Sequence, residues 1–427
     1  MSRFIYSQIL YLAIPLIILR LLWRSLRAPA YLQRWGERFA FSSPPLGLSD
    51  AGPCIWIHAV SVGEVLAAVP LVRHLQQSRP QQPILVTTMT PTGSERVRQA
   101  LGDQVFHCYL PYDLPLAVQR FVRRANPLLL VIMETELWPN LIHACRQAAV
   151  PVLLANARLS ARSARGYARF PGLTGDMLAG LQGIAVQAEP DRERLLALGA
   201  EAGRIEVTGS LKFDIEVPRL RDEDLPELLR DIRHSGRPVW IAASTRQGEE
   251  EKILTALQHC LASRPDLLLV LVPRHPERFN SVARLCEQTG LQVLRRSQGG
   301  QVTQDHQVLL GDSMGEMWFY YSVAQIAFVG GSLVPNGCHN VLEPAALGIP
   351  VLAGPSQFNF ATICQQLEEA GALLTVADED ELGKTVLKLL DNPDWRQAMG
   401  SAGQLVMTRN HGALQRIVSI VEGLLPA

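Results

Sequence analysis

Three carboxylates in the first half of the chain follow short apolar segments that are typical of strands. Glu64 comes shortly after CIWIHAV, and Glu134 and Glu136 come directly after LLLVIM. A carboxylate at such a position can act as a general base toward a hydroxyl group. At a helix start, the dipole should hold Glu64 ionised and lower its basicity. The alternative is that Glu64 only stabilises the helix start, and the residues leave the choice between Glu134 and Glu136 open.

Cations follow other apolar segments. Lys212, in GSLKFD, could stabilise negative charge in a cleft, and Arg274, after LLLVLVP, suits a phosphate or carboxylate partner. Arginines spaced four, three and four residues apart predict one basic helix face: Arg158, Arg162, Arg165 and Arg169. This face is either a solvated surface or a site for an anionic lipid or a phosphorylated acceptor.

Residues 327–355, AFVGGSLVPNGCHNVLEPAALGIPVLAGP, predict a strand, a glycine turn, a helix from about Asn340 and a second strand. Gly330 and Gly331 let the backbone approach a ligand closely. The helix start offers N–H groups and a positive dipole to a phosphate. Glu343, one turn into this helix, could reach sugar hydroxyls. The stretch alone leaves a nucleotide site and an ordinary crossover unit equally open.

Strands and helices alternate from Pro53 to about Ser210 and again from Pro238. Such alternation predicts parallel sheets covered by helices on both faces, with ligands at the carboxyl ends of the strands. A charged stretch, residues 215–237, predicts an interdomain linker. We therefore expect an α/β protein with two doubly wound, Rossmann-like domains, residues 28–214 and 238–427, facing each other across a ligand cleft.

The N-terminal segment from Phe4 to Trp23 is mostly apolar. About 20 such residues can span the hydrocarbon core of a membrane as one helix. Arginines follow this segment, which by the positive-inside rule places the rest of the chain in the cytoplasm. We predict a membrane anchor over residues 1–27. The alternatives are a cleaved signal peptide and a helix lying in the membrane interface.

Composition excludes several other classes of protein. The chain has 40 basic and 40 acidic residues, so it has no overall charge to attract nucleic acid, and we expect no nucleic-acid partner. Its seven cysteines are dispersed without a C-x-x-C pair, which indicates free thiols in a reducing compartment. No D-x-D-like motif accompanies the proposed phosphate-binding residues, so we predict neither a metal ion nor a cofactor.

Ten sequence blocks occur in order over nearly the whole chain: YLQRWGERF, HAVSVGE, TTMTPTGSERV, PYDLP, METELWPN, NARLSARS, GSLKFD, PRHPERF, GDSMGEM and GGSLVPNGCHNVLEPAALGIPV. Together they resemble the 3-deoxy-D-manno-octulosonic acid (Kdo) transferases of lipopolysaccharide synthesis. The resemblance implies the two-domain glycosyltransferase B (GT-B) fold. It implies that the first domain binds a lipid A precursor and the second binds CMP-Kdo, at the cytoplasmic face of the inner membrane.

The resemblance also implies roles for particular residues in an inverting transfer. Glu64 is the general base, and Glu134 and Lys212 stabilise the transition state. Contacts to CMP come from three short segments: Pro273 and Arg274; Met314, Gly315 and Glu316; and Asn340, Val341, Leu342 and Glu343. The basic face itself, and not the resemblance, gives the expectation that Arg158, Arg162 and Arg165 bind the acceptor.

Two other functions fit the same two-domain plan. A nucleotide-sugar epimerase would act on a soluble substrate, and the N-terminal apolar segment and the arginine-rich face argue against it. A membrane-tethered binding module without catalysis is the other alternative. Carboxylates at several strand ends argue against that module, because they are the groups a catalyst needs.

Overall fold

The computed structural model describes residues 1–26, 28–42, 45 and 47–426 of the chain. Arg27, the last residue of the expected anchor segment, lies outside the described residues. The chain forms two compact units. One is Met1–Asp214 together with Gly412–Ala427, and the other is Ile215–His411.

The first unit is built on a parallel sheet. Its strands within the described residues are β1 (Cys54–His58), β2 (Ile84–Thr88), β3 (Phe106–Tyr109), β4 (Pro127–Met133), β5 (Val152–Ala157), β6 (Gly183–Val186) and β7 (Ile205–Val207). They are ordered β3-β2-β1-β4-β5-β6-β7. The chain turns from one half of this sheet to the other between β1 and β4. In doubly wound sheets that switch point opens the crevice where ligands bind.

Helices cover both faces of this sheet. The helices of this unit that precede β7 are α1 (Arg3–Leu12), α2 (Ile14–Ser25), α3 (Trp35–Arg38), α4 (Leu48–Ala51), α5 (Val62–Ser78), α6 (Pro91–Leu101), α7 (Pro115–Ala125), α8 (Pro139–Gln147), α9 (Ala161–Ala168), α10 (Pro171–Ala179) and α11 (Glu189–Ala197). Alternate residues of β1 enter different cores: Trp56 packs with Leu130 on one face, and Ile57 packs with Val131 and Val65 on the other. This two-residue period is what a strand buried on both faces produces.

The second unit repeats the plan. Its described strands are β8 (Val239–Thr245), β9 (Leu268–Pro273), β10 (Val293–Arg295), β11 (Val308–Leu310), β12 (Ile326–Val329), β13 (Val351–Ala353) and β14 (Leu373–Thr375), in the order β10-β11-β9-β8-β12-β13-β14. Its helices are α12 (Glu227–His234), α13 (Glu250–Leu261), α14 (Phe279–Gln288), α15 (Met317–Val323), α16 (Leu342–Ala346), α17 (Ala361–Glu369), α18 (Glu379–Asp391) and α19 (Pro393–Asn410). The prediction of two parallel-sheet α/β domains is confirmed.

The expected linker, residues 215–237, is partly a structured part of the second unit. α12 lies within it, and Leu228, Leu229 and Ile232 are buried in the same core as Val239 of β8. The sequence pattern concealed this because the apolar residues of α12 are isolated among charged ones. They nevertheless form one buried helix face.

The end of the chain returns to the first unit. The last helix, α20 (Ala413–Leu424), places Ile417, Val418 and Val421 in the core beneath β1 and α5. The Asp214 carboxylate accepts a hydrogen bond from the N–H of Gly412 at 2.6 Å and so caps the start of this helix. The expected second domain, residues 238–427, therefore does not extend to the end of the chain.

The N-terminal apolar segment is two helices rather than the single helix predicted. α1 and α2 are bent by 52° where they meet at Ala13, and no single helix among the described residues has the length and apolar character to cross a membrane. Pro15 occupies the first turn of α2, where its missing N–H costs no helix bond. α1 is fastened to α8 because Arg3 and Ser7 both donate hydrogen bonds to Asn140 Oδ1, at 3.2 and 3.0 Å.

Candidate active site

Glu64 is held at the start of α5 by local hydrogen bonds. Ser61 precedes the helix; its hydroxyl donates to Glu64 Oε1 at 2.8 Å and accepts from the Glu64 N–H at 3.4 Å. The backbone N–H of Val60 donates to Oε2 at 2.7 Å. Only 6% of Glu64 is exposed. Both carboxylate oxygens are therefore oriented by the protein itself.

The environment of Glu64 makes it a stronger base than an ordinary glutamate. The pKa of Glu64 is raised to about 7. Burial is the main cause, the nearby charges of Glu134 and Glu136 add to the rise, and the hydrogen bonds from Val60 and Ser61 partly offset it. The position of Glu64 at a helix start predicted that the helix dipole would lower the basicity of its carboxylate. That expectation is wrong, because removing the carboxylate from water outweighs the local donors. A carboxylic acid with a pKa near 7 suits general base catalysis at neutral pH.

Glu134 and Glu136 lie where the chain leaves β4, the neighbour of β1. Glu134 has a φ of 57°, a conformation that is costly for a residue with a Cβ atom, and its N–H donates to the Ala155 carbonyl at 2.9 Å. Glu136 accepts a hydrogen bond from the Trp138 indole at 3.0 Å. Among the described residues, the Glu134 carboxylate has no hydrogen-bond or ion-pair partner. Glu134 is thus the better placed of the two to interact with a substrate.

Lys212 lies in a short 3₁₀ turn, Leu211–Phe213, after β7. The N–H of Leu211 donates to Asn156 Oδ1 at 3.0 Å, which fastens this turn to β5. The Leu211 side chain packs in the same core as Val65 of α5, and the turn contacts that helix. The turn that carries Lys212 therefore packs against the helix that carries Glu64, at the carboxyl edge of the first sheet.

The predicted arginine face is shorter than expected. α9 begins only at Ala161, after Ser160 caps its N-terminus, and ends at Ala168. Only Arg162 and Arg165 lie on this helix, and both are exposed. Arg158 precedes it in the loop after β5, and Arg169 follows it. The prediction of one helix face bearing four arginines is therefore wrong.

In the second unit, the predicted CMP-contacting residues follow three strands. Pro273 ends β9 and is followed by Arg274. The segment Met314–Glu316 lies between β11 and α15, and Asn340–Glu343 lies at the start of α16. Because β11, β9, β8 and β12 are consecutive neighbours in the sheet, these residues all belong to its carboxyl edge.

The segment after β11 turns sharply and is fixed at its end. Met314 is 62% exposed, and Gly315 has a φ of 82°, which a glycine adopts without strain. The Glu316 carboxylate accepts hydrogen bonds from Arg296 at 2.8 Å and from the Tyr320 hydroxyl at 3.2 Å. The Glu316 side chain is therefore occupied by protein partners.

The start of α16 presents a fixed polar pair. Asn340 Oδ1 accepts from the Leu342 N–H at 3.1 Å, while Asn340 Nδ2 donates to Glu343 Oε1 at 3.0 Å. Val341 and Leu342 are buried beneath them. Burial raises the pKa of Glu343, and the Asn340 bond and the nearby Arg274 charge oppose this rise. This arrangement suits recognition of hydroxyl groups, which both donate and accept.

The glycine turn after β12 is filled by a carboxylate of the protein. Glu249, which is fully buried, accepts hydrogen bonds from the N–H groups of Gly331 at 2.7 Å, Ser332 at 3.1 Å and Leu333 at 2.9 Å. A Cβ atom on Gly330 would lie 2.8 Å from Glu249 Oε2. The turn was expected to offer its close approach to a ligand. That expectation is wrong, because Glu249 takes these donors.

This edge also carries a cationic group that was not predicted from the sequence. Arg246, directly after β8, donates hydrogen bonds to His275 and His339. Its sequence signal was available, since Thr245 and Arg246 follow VWIAAS much as Arg274 follows LLLVLVP. Within the described residues, no cluster of three or more His, Cys, Asp or Glu side chains is arranged to hold a metal ion.

Comparison with known proteins identifies first the class and then the family. Residues 249–406 match the model of glycosyl transferases group 1, and residues 33–215 match that of 3-deoxy-D-manno-octulosonic-acid transferase (kdotransferase). The protein is therefore a glycosyltransferase. The 3-deoxy-D-manno-octulosonic acid transferase of Haemophilus influenzae is 45% identical over 99% of this chain and 98% of its own. The chain belongs to the Kdo transferase family.

Solved structures with low sequence identity share the fold. A glycosyltransferase from Rickettsia africae is 13% identical, covers 87% of this chain and 99% of its own, and has a TM-score of 0.56. A UDP-GlcNAc 2-epimerase from Neisseria meningitidis is 14% identical, covers 87% of this chain and 100% of its own, and has a TM-score of 0.58. These likenesses concern the GT-B fold alone.

Proposed function

We propose that this protein transfers Kdo from CMP-Kdo to a lipid A precursor in lipopolysaccharide synthesis, with inversion at the anomeric carbon. The observation that carries the proposal is Glu64, a buried carboxylate whose pKa is raised to about 7. It lies at the switch point of the first sheet, beside β4 with Glu134. Membership of the Kdo transferase family supports the choice of sugar.

In the proposed reaction, a hydroxyl group of the acceptor attacks the anomeric carbon of Kdo. The hydroxyl proton passes to Glu64 as the new C–O bond forms. The bond between the anomeric carbon and the phosphate oxygen breaks, and CMP leaves with the electron pair. Positive charge develops on the sugar in such transfers, so the Glu134 carboxylate stabilises it. Lys212 stabilises the negative charge that develops as CMP leaves.

The donor contacts proposed in the second unit have different chemical roles. Arg274 supplies a cation for an oxyanion of the donor. Asn340 and Glu343 recognise ribose hydroxyls, and the backbone of Met314–Glu316 contacts the base. The remaining residues of this set, Pro273, Val341 and Leu342, shape the floor beneath CMP.

The acceptor is proposed to bind to the first unit through its phosphate groups. Exposed Arg162 and Arg165 of α9, with Arg158 in the loop before it, supply the cations. Reversal of Arg162 and Arg165 to Glu should raise the acceptor KM and leave the donor KM unchanged. An unchanged acceptor KM would assign α9 to the solvated surface.

We further propose that the protein works at the cytoplasmic face of the inner membrane, with α1 and α2 lying in the membrane interface. Apolar side chains are exposed along both helices, among them Leu12 at 80%, Leu16 at 68% and Leu19 at 63%. Arg20 and Arg24 lie among them and suit anionic headgroups. An interfacial position lets α1 keep its hydrogen bonds to α8.

Product analysis with purified protein, CMP-Kdo and a lipid A precursor tests this function. We expect CMP to be released only when both substrates are present, and the mass of the lipid to increase by whole Kdo units. An altered soluble sugar without a lipid product would indicate an epimerase. The absence of both products, with CMP bound, would indicate a binding module. Either result would overturn the proposal.

A further inference from the structure

One strand of the donor-binding edge contributes no residue to the proposed CMP contacts. Those contacts follow β11, β9 and β12, and β8 lies between β9 and β12 in the sheet. Arg246 is the first residue after β8. Ser244, two residues before Arg246, has a φ of 57°, so the backbone at this strand end is strained, as is common at functional sites. The position therefore lies at the switch point of the second sheet, where a ligand is expected.

Two imidazoles hold the Arg246 side chain in place. Arg246 Nε donates to His339 Nε2 at 3.1 Å, and Arg246 Nη1 donates to His275 Nε2. A guanidinium group only donates hydrogen bonds, so both Nε2 atoms act as acceptors and carry no proton. His275 and His339 are therefore neutral partners. Neither bond uses Nη2, which leaves that group for a ligand.

The positive charge of Arg246 is not neutralised by these partners. Burial, together with the charges of Arg246 and Arg274, lowers the pKa of His339 to about 4, so His339 stays uncharged near neutral pH. Glu249 lies nearby, but its carboxylate accepts the N–H groups of the glycine turn and of Arg246 itself. Arg246 and Arg274 thus form a pair of cations at one strand edge, each lowering the pKa of the same imidazole.

We propose that Arg246 binds an oxyanion of the donor and that His275 and His339 are positioning residues that orient it. The identity of the donor rests on the proposed function. CMP-Kdo carries two oxyanions, the phosphodiester and the carboxylate of the sugar. The Arg246–Arg274 pair supplies one cation for each of these two oxyanions. Guanidinium groups bind both kinds of oxyanion in the same bidentate way.

The experiment compares Arg246→Gln with wild type in two measurements: calorimetric affinity for CMP and KM for CMP-Kdo. Loss of a charged hydrogen bond should weaken binding by about tenfold or more. If Arg246 holds the phosphate, CMP affinity falls. If it holds the sugar carboxylate, CMP affinity is unchanged and the CMP-Kdo KM rises. Either result supports the proposal, and a variant that matches wild type in both measurements overturns it.

Controls separate this role from a loss of folding and from failure of the proposed function. Arg284→Gln, on the exposed surface of α14, should leave both values unchanged. Arg246→Lys keeps the charge but lacks the planar fork of donors that reaches both imidazoles and a ligand, so it should fall between wild type and Arg246→Gln. CMP affinity is measured without turnover. If the wild type shows no transfer but Arg246→Gln still binds CMP more weakly than the wild type, the proposed function is wrong and the anion site is supported.

The positioning role has its own test. His339→Leu removes the acceptor for Arg246 Nε, whereas His339→Gln retains a neutral acceptor. We expect His339→Leu to weaken the same donor binding that Arg246→Gln weakens, with kcat less affected, and His339→Gln to restore it. Equal behaviour of the two His339 variants would contradict a positioning role.

Discussion

At the scale of single residues, burial and local hydrogen bonds have opposite effects on the pKa of the carboxylates in the candidate active site. Glu64 receives two hydrogen bonds that favour its charged form, yet its pKa is raised to about 7 because it is removed from water. The same opposition acts on Glu343, whose pKa is also raised by burial. The first carboxylate is thereby made basic enough to accept a proton near neutral pH.

Replacing Glu64 by Gln should lower kcat for transfer by about 10²–10⁴-fold, because the variant cannot accept the acceptor proton. CMP affinity should be unchanged, since the proposed CMP contacts belong to the second unit. The measurement is initial-rate kinetics with calorimetry for CMP. Glu95→Gln, which changes an exposed glutamate of α6, serves as the matched control and should keep wild-type kinetics.

The pH dependence of the wild type follows from the same residue. Glu64 acts as a base only when it is deprotonated, so kcat/KM should rise with pH up to about 7 and then level off. The residual activity of Glu64→Gln should lack this rise. A Glu64→Gln profile with the wild-type limb would assign the titration to another group.

At the scale of elements, the N-terminal helices combine firm docking with apolar exposure. Ser7 of α1 is buried against Asn140 of α8, and the Asp113 carboxylate accepts the N–H groups of Asn140 at 3.0 Å and Leu141 at 2.8 Å. α1 therefore rests on a helix start that is itself capped. The opposite surfaces of α1 and α2 expose large apolar side chains, which a soluble protein rarely leaves in one patch.

We predict that replacing Leu12, Leu16 and Leu19 together by Ser weakens binding to vesicles of phosphatidylethanolamine and phosphatidylglycerol by at least about tenfold. Each buried leucine contributes about 1.5–3 kcal/mol to such transfer. Co-flotation measures the bound fraction. Leu405→Ser, which changes a leucine of α19 with 48% exposure, is the control. Undiminished flotation of the triple variant would contradict the interfacial role of these helices.

At the scale of the whole molecule, the division of the chain does not follow its linear order. The second unit is inserted between Asp214 and Gly412 of the first, and the two boundary residues are joined by a hydrogen bond of 2.6 Å. Arg79, directly after α5, also pairs with Glu422 of α20 at 2.5 Å. The stability of the unit that carries Glu64 therefore depends on the last residues of the chain.

Ile417→Ala should destabilise the first unit by about 2–5 kcal/mol, because it leaves a cavity at a fully buried position of α20. Calorimetry should show a lower transition temperature for one of the two units only. Leu405→Ala, at a half-exposed site of the second unit, should change neither transition appreciably. An unchanged thermogram for Ile417→Ala would mean that α20 contributes little to the first unit.

Local sequence patterns predicted the strands of the first sheet and, in the second, β8, β9, β11, β12 and β13. β10 and β14 were missed because they are the two edge strands and are only partly buried, so neither shows the continuous apolar run of a central strand. The start of α9 was predicted too early in the chain, because the spacing of the arginines does not show that Ser160 caps the helix. The 52° bend between α1 and α2 was not predicted, because the apolar run continues through it, and the hydrogen bond from Ser7 to Asn140 of α8 joins residues far apart in the chain.

The sequence by itself determined the class of fold and the family, and it assigned Glu64, Glu134, Lys212 and Arg274 to strand ends, because these features depend on residues near one another in the chain. Only the tertiary structure decided what contacts each group. In the folded chain, N–H groups of the glycine turn donate to Glu249, and His275 and His339 accept hydrogen bonds from Arg246. α20 belongs to the first unit. Such contacts join residues far apart in sequence, and their partners are set by how strands are ordered in a sheet rather than by any local pattern.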